Sequence, residues 1–254
     1  MAKYALCFRA LNSHSEFRYG QYDKKRARKD LDTPVPGFTS FLAPYGFFTP
    51  AHYSAFWARR HMHEFGTTYE HFGAIAVAAR KHAARNPKAR FYGKPITMQD
   101  YLDSRMIVDP LRLFDCCLET DGACALVVTT AERARDLRHA PAYIRAMAQG
   151  SGGPNLYPIT AYNRKRLTGM EETAQMGKFL FEMADLDRGD IDVAQIYDHF
   201  GPLVLLSLED LGFCEPGEGG PFVAGGRIEL GGDLPINTHG GLVAEAYIHG
   251  FNHI

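Results

Sequence analysis

An α/β architecture with a mixed or parallel sheet is the fold class this sequence predicts, and three observations predict it. From about residue 140 the chain alternates strand, helix, strand, helix: the apolar run "AYIRAMAQG", the amphipathic "MEETAQMGKFLFEMADL", the run up to Tyr197 in "DIDVAQIYDHF", then "GPLVLLSLEDLGF". Two consecutive amphipathic helices precede it between Pro50 and Pro87. The chain has 254 residues, 46% of them hydrophobic, enough to bury a large core. Length alone fits one large domain or two ordinary ones. The polar stretch "RDLRHAP" at 135–141 marks the expected boundary, dividing a part at 1–139 from a part at 140–254.

Each element follows from local pattern. "KYALCFRA" is a short apolar run with almost no polar lead-in, which reads as an internal strand. His14 to Pro50 mixes Pro, Gly, aromatics and the basic cluster Lys24, Lys25, Arg26, Arg28, Lys29 without any period, so it reads as a long loop. The cluster is either a phosphate grip or a solvated face. Thr49-Pro50 suits an N-cap and first helical residue, and Gly66 the position just past the helix end. Thr67 and Glu70 stand at capping-box spacing for a second helix that stops before Pro87. A short helix is expected after Thr97, a strand near Arg105–Val108 and a buried strand over Ala123–Thr129.

Composition narrows the function. Basic and acidic residues number 28 and 29, so neither nucleic-acid steering nor attraction to an anionic membrane is suggested. No apolar run reaches the roughly eighteen residues that span a bilayer, and the first residues lack a secretory leader's pattern, which makes the cytoplasm the expectation. The five cysteines, Cys7, Cys116, Cys117, Cys124 and Cys214, have no C-x-x-C spacing and read as reduced thiols.

Two junctions can carry chemistry. Tyr197, Asp198 and His199 lie where a strand turns into a helix, the place where α/β sheets gather reactive groups. The alternative is a core tyrosine with a satisfied hydroxyl beside a packing histidine. Gly240-Gly241 forms the second junction, permitting positive φ and close backbone approach ahead of a helix that would carry Tyr247 on its early turns. Glu245, His249 and His253 are spaced by four, but Gly250 weakens that helix and the stripe reads as a polar face rather than a metal site. His61, His63 and His71 do not share one helical face.

"YDHF" and, forty residues on, "NTHGGLVAEAYIHG", together with "ARKHAARNPKARFYGKPIT", "SRMIVDPLRLFDCC" and "TDGACALVVTT", resemble the thiolase superfamily, in particular thiolase-like lipid-transfer proteins of the sterol-carrier-protein-X type. The resemblance implies a layered α-β-α-β-α architecture, here incomplete: the first strands, the nucleophile elbow and the closing strands with a further cysteine loop are expected to lie outside this chain. Where thiolases carry Asn-Glu-Ala-Phe and Gly-His-Pro, this sequence places Tyr197 at the Asn and Tyr247 at the His. The double tyrosine is similar to the steroid side-chain aldolase branch, and it implies retro-aldol cleavage of a β-hydroxyacyl-CoA with one phenol as base and the other as acid. Tyr247 is the base and Tyr197 the acid by that resemblance; His199, Asp198 and His239 are candidates to hydrogen-bond the phenols or the enolate oxygen.

The resemblance further implies coenzyme A thioester as substrate with no bound cofactor, a homodimer, and a small OB-fold partner with a zinc ribbon. The acyl chain or the coenzyme tail is expected near the 14–50 loop and the helical pair. An acyl-CoA acyltransferase and a non-catalytic acyl-CoA or lipid-binding subunit are the other functions the sequence allows. No catalytic cysteine is carried over, and the chain alone is expected to be weak or inactive.

Overall fold

The computed structural model describes residues 2–16, 18, 43–47, 49–151, 164 and 166–254. Most of the expected 14–50 loop, with its basic cluster, lies outside the described residues. β1 (Tyr4–Asn12) pairs antiparallel with β4 (Asp121–Thr129) in unbroken register from Tyr4 opposite Thr129 to Asn12 opposite Asp121. β2 (Met106–Val108) and β3 (Leu111–Arg112) form a second, small antiparallel ladder around the cis Asp109-Pro110 bond. The helices are α1 (Pro50–Phe65), α2 (Tyr69–Arg85), α3 (Met98–Asp103), α4 (Ala131–Ala134), α5 (Glu171–Ala184), α6 (Gly201–Asp210), α7 (Gly219–Val223) and α8 (Gly241–Ala244).

Local chemistry explains the helix ends. Thr49 caps α1, with Pro50 in its first turn and His52 Nδ1 accepting from the Thr49 N–H at 3.2 Å; Gly66, at φ 71°, closes the helix by donating to Met62 O. The cap of α2 is one residue later than the spacing suggests. Thr68 takes that position, with His71 rather than Glu70 at the third helical residue, because the Thr67 hydroxyl is drawn inward to His61 Nδ1 at 2.7 Å. Thr97 and Asp100 form the reciprocal box that starts α3.

The core sits around α6, which is buried on every side. Helices with no polar face are interior helices, and Leu203, Val204, Leu205, Leu206 and Leu208 contact Trp57 and Ala58 of α1, Phe72, Ile75 and Ala76 of α2, and Val223 of α7 within one cluster. A smaller cluster, Ala79, Ala83, Ala89, Val243 and Ala244, joins α2 to α8. Gly240 fits there because a Cβ would lie 2.7 Å from the Ala83 Cβ.

Three expectations need correction. The strand at 121–129 forms but is not buried: Val127 is 58% exposed and β1 presents Tyr4, Leu6 and Phe8 openly, since among the described residues this ladder has two strands and its faces are covered only in part, by the segment around Ile248 and His249. The runs at 142–150 and 191–197 do not become regular strands. In the second, one parallel bridge, Ala194 to Ile236, stands in for a ladder. The sheet elements are therefore mixed, with antiparallel pairs dominating. The helix expected to carry Tyr247 ends at Ala244, and the chain beyond it turns at His249 (φ 57°) and Gly250 (φ 80°). Among the described residues no helix is long and apolar enough to cross a membrane.

Candidate active site

Asn237 builds the first half of the site. At φ 50° it presents its side-chain amide like a strand backbone: Oδ1 accepts the Ile196 N–H and Nδ2 donates to Ile196 O, both at 2.8 Å. Together with Ala194 N–H donating to Pro235 O, this holds residues 194–196 straight up to the turn. Extended backbone sends neighbouring side chains to opposite sides, so Tyr197 faces the open side at 37% exposure while Asp198 is fully buried. The turn is fixed from beneath by Cys117 N–H donating to His199 O at 3.0 Å.

The second half is Gly240–Ile254. Leu242 N–H donates to Asp198 Oδ1 at 2.8 Å, tying the α8 start to the first turn. Gly241 is required: at φ 65° a Cβ would stand 2.0 Å from Asp198 Oδ2. After α8, Tyr247 N–H donates to Thr120 Oγ1 at 3.1 Å, and the Tyr247 hydroxyl arrives 3.0 Å from that of Tyr197. The chain then folds back so that Gly250 lies over the Tyr197 ring, where a Cβ would be 2.8 Å from Tyr197 Cδ2.

Burial sets the electrostatics. It pushes the Tyr197 phenol above its ordinary pKa, while the hydrogen bond from Tyr247 and the charge of Arg9 pull the other way. His199, its ring 4.7 Å from that of Tyr197, is driven down to about 4 by burial and is neutral near pH 7; its Nδ1 is buried without a hydrogen-bond partner among the described residues. His239 is likewise driven to about 4, and burial raises Glu245. The Cys116 thiol is pushed up to about 12 and Cys117 higher still, so both are protonated and poorly nucleophilic at neutral pH.

Four of the five residues singled out in the sequence, Tyr197, Asp198, His199 and Tyr247, therefore meet in one place. His239 stands behind them, its ring edge-on to His253 at 5.1 Å and its Nε2 3.5 Å from Glu245 Oε2. The stripe Glu245, His249, His253 is dispersed by the turn: Glu245 accepts from Asn252, His249 Nδ1 meets Arg9 at 2.6 Å, and His253 faces Asp198 at 3.3 Å. His61 is buried between Thr67 and Glu209, and His71 caps α2. Sequence reasoning did not find Asn237, Thr120, Arg9 or His253 as parts of the site. A polar residue three positions before a glycine pair was the one signal for Asn237; His253 reads only as part of a polar face, and nothing marked Thr120 or Arg9.

Comparison with known proteins decides the lineage. The family model described as "Thiolase C-terminal domain-like" matches residues 159–251. A steroid side-chain-cleaving aldolase of Thermomonospora curvata is 50% identical over all of this chain and 64% of its own length. The chain belongs to the thiolase superfamily. A 17-hydroxy-3-oxo-4-pregnene-20-carboxyl-CoA lyase of Mycobacterium tuberculosis is also 50% identical, across all of this thiolase-like chain and 65% of the relative. A solved Ltp2-ChsH2(DUF35) aldolase superposes with a TM-score of 0.88 at 49% identity, covering 99% of this chain and 63% of that one. The thiolase-like α/β fold follows, and this chain spans just under two thirds of the length of these relatives.

Proposed function

We propose that the chain carries the acid–base centre of an acyl-CoA carbon–carbon lyase, cleaving a bulky β-hydroxyacyl-CoA, of the steroid side-chain type, into a ketone and a shorter acyl-CoA. The observation that supports this most directly is the 3.0 Å hydrogen bond between two phenols, Tyr197 and Tyr247, at a half-open site. The two aldolase and lyase relatives support the substrate class.

The chemistry suits a phenol pair. As the Cα–Cβ bond breaks, the substrate hydroxyl gives its proton to Tyr247 as phenolate, a ketone forms at Cβ, and the bonding electrons pass into the thioester enolate. Tyr197 then protonates Cα. One proton leaves at oxygen and one arrives at carbon, so the reaction is proton-neutral. A transfer back across the hydrogen bond between the phenols restores the starting state. In this reading His199, neutral near pH 7, supplies a ring N–H to the enolate oxygen. Asp198 fixes the backbone that carries both tyrosines and touches no reacting atom in this scheme; His239 supports it from behind.

Acyl transfer is the competing reading, and the tyrosines that stand where thiolases carry Asn and His weigh against it. The reading needs no resident cofactor, since the coenzyme A thioester is the substrate. It includes a homodimer working in the cytoplasm and a small OB-fold, zinc-ribbon partner; the Ltp2-ChsH2(DUF35) name of the solved relative supports a second subunit.

The test is to incubate the chain, alone and with such a partner, with a β-hydroxyacyl-CoA and separately with a 3-ketoacyl-CoA plus free coenzyme A. Ketone release from the first substrate alone is expected. Thiolytic product without aldol cleavage rejects the proposal, and acyl-CoA binding without turnover in any combination leaves the binding-subunit reading in its place.

A further inference from the structure

Asp198 is fully buried, and it is the link between the two tyrosine-bearing segments: it follows Tyr197 directly, and its Oδ1 accepts the Leu242 N–H at 2.8 Å. One backbone donor does not compensate a buried carboxylate, which needs an opposite charge or a fuller set of hydrogen bonds. Among the described residues the basic side chain that faces it is His253, with Nε2 3.3 Å from Asp198 Oδ1 and a side chain 8% exposed. Around this contact four buried atoms, Asp198 Oδ2, both His253 ring nitrogens and His239 Nε2, make no hydrogen bond among the described residues. The polar groups thus converge on one another rather than on solvent.

The segment that delivers His253 is itself fastened to the site. Gly250 passes over the Tyr197 ring, and a single helical turn, Phe251–His253, closes through His253 N–H donating to Gly250 O at 3.1 Å. Asn252 Nδ2 donates to Glu245 Oε2 at 2.7 Å and to Ala246 O at 2.9 Å, stapling that turn to the residues just before Tyr247. The His253 ring lies 6.4 Å from the Tyr197 ring, centroid to centroid, and edge-on to His239.

We propose that His253 is a positioning residue for the tyrosine pair: it holds the Asp198 carboxylate against the Leu242 N–H and thereby keeps the two phenol oxygens within hydrogen-bond reach. His253 touches no substrate in this role. Its geometric effect stands on the contacts alone, and its consequence for cleavage rests on the lyase reading.

The experiment is ¹³Cζ-tyrosine NMR on the whole chain, titrated with pH, for the wild type and for His253→Leu, His253→Gln and His253→Asn, with Tyr197→Phe and Tyr247→Phe assigning the two signals. The other titratable or charged groups that face the pair, Asp198, Cys117, Arg9, His199 and His249, are unchanged in every His253 variant. In the wild type the two phenols titrate as a coupled pair. In His253→Leu each titrates independently, as the remaining phenol does in the Phe variants, and His253→Gln, which keeps a polar N–H group facing Asp198, restores the coupling. In a β-hydroxyacyl-CoA assay His253→Leu loses kcat about tenfold with KM unchanged, as expected for a positioning defect.

Wild-type coupling in folded His253→Leu overturns the inference. Should His253→Leu not fold, the shorter His253→Asn decides by the same readout. If no form of the protein cleaves substrate, the lyase reading fails while the NMR result still decides the role of His253.

Discussion

Tyr197 and Tyr247 stand fifty positions apart in the chain and share one hydrogen bond. Replacing Tyr247 by Phe keeps the ring packing and removes the proton, so cleavage is expected to fall by about 10²-fold or more, the usual worth of a general acid–base group, with the fold intact by circular dichroism. Unchanged turnover would exclude the phenol from the reaction. Gly241 makes a sharper structural point. Gly241→Ala drives a methyl into Asp198 Oδ2 at φ 65°, whereas Gly225→Ala, at φ 67°, meets nothing within 4 Å. Both pay the left-handed backbone strain, but only the first must also displace a buried carboxylate, so urea unfolding should show Gly241→Ala worse by about 1–3 kcal/mol. Equal losses at the two glycines would mean that Asp198 is free to move.

At the scale of the element, α6 is the part on which the site stands. Its ten residues are all buried, and its first turn leads directly out of the Tyr197–Phe200 turn. Leu205 is completely enclosed, so Leu205→Ala should lower unfolding stability by about 2–5 kcal/mol, the range for a large-to-small change in a packed interior. A loss below about 1 kcal/mol in a chemical denaturation series would show that α6 is not held as described. The ladder of β1 and β4 behaves differently, because its apolar side chains lie open on the described molecule. Its sequence has the apolar content of an interior strand, which is why burial was expected of it. Burial depends on what lies against each face, and that is not a property of the strand's own residues.

For the whole molecule, buried titratable groups of opposite sense shape the response to pH. Burial raises Asp115 to about 7, even though Tyr101 O–H and Arg112 N–H both donate to it, and raises Asp210 to about 6. Such a carboxyl holds its proton more tightly when folded than when unfolded. Its stabilising contribution is complete below about pH 4 and is lost as pH rises through the folded value. His199 and His239, both lowered to about 4, act oppositely: the unfolded chain takes up their protons first, so the folded state loses stability as pH falls from about 6.5. Between roughly pH 4.5 and 6 the two pairs offset, and a shallow dependence is expected. Asp115→Asn removes one falling contribution, so stability of the variant should climb with pH in that window by about 1.4 kcal/mol per unit more steeply than the wild type. Urea unfolding at a series of pH values measures it, and parallel curves would show that Asp115 is ionised in the folded protein.

Sequence alone determined α1, α3 and the body of α2, because their signals are local: Thr49-Pro50 and Gly66 bound α1, Thr97 starts α3, and the apolar face of 69–85 has helical period whatever packs against it. It also determined that Tyr197 and Tyr247 sit at junctions, through the turn into "GPLVLL" and the glycine pair before Leu242. Tertiary structure decided the distance between the two phenols, the inward turn of Thr67 that moved the α2 cap to Thr68, and the appearance of His253 at Asp198. Those outcomes depend on segments far apart in the chain, Asn237 on Ile196, Thr120 on Tyr247, Leu242 on Asp198, and a hydrogen bond between distant residues leaves no period or spacing to read.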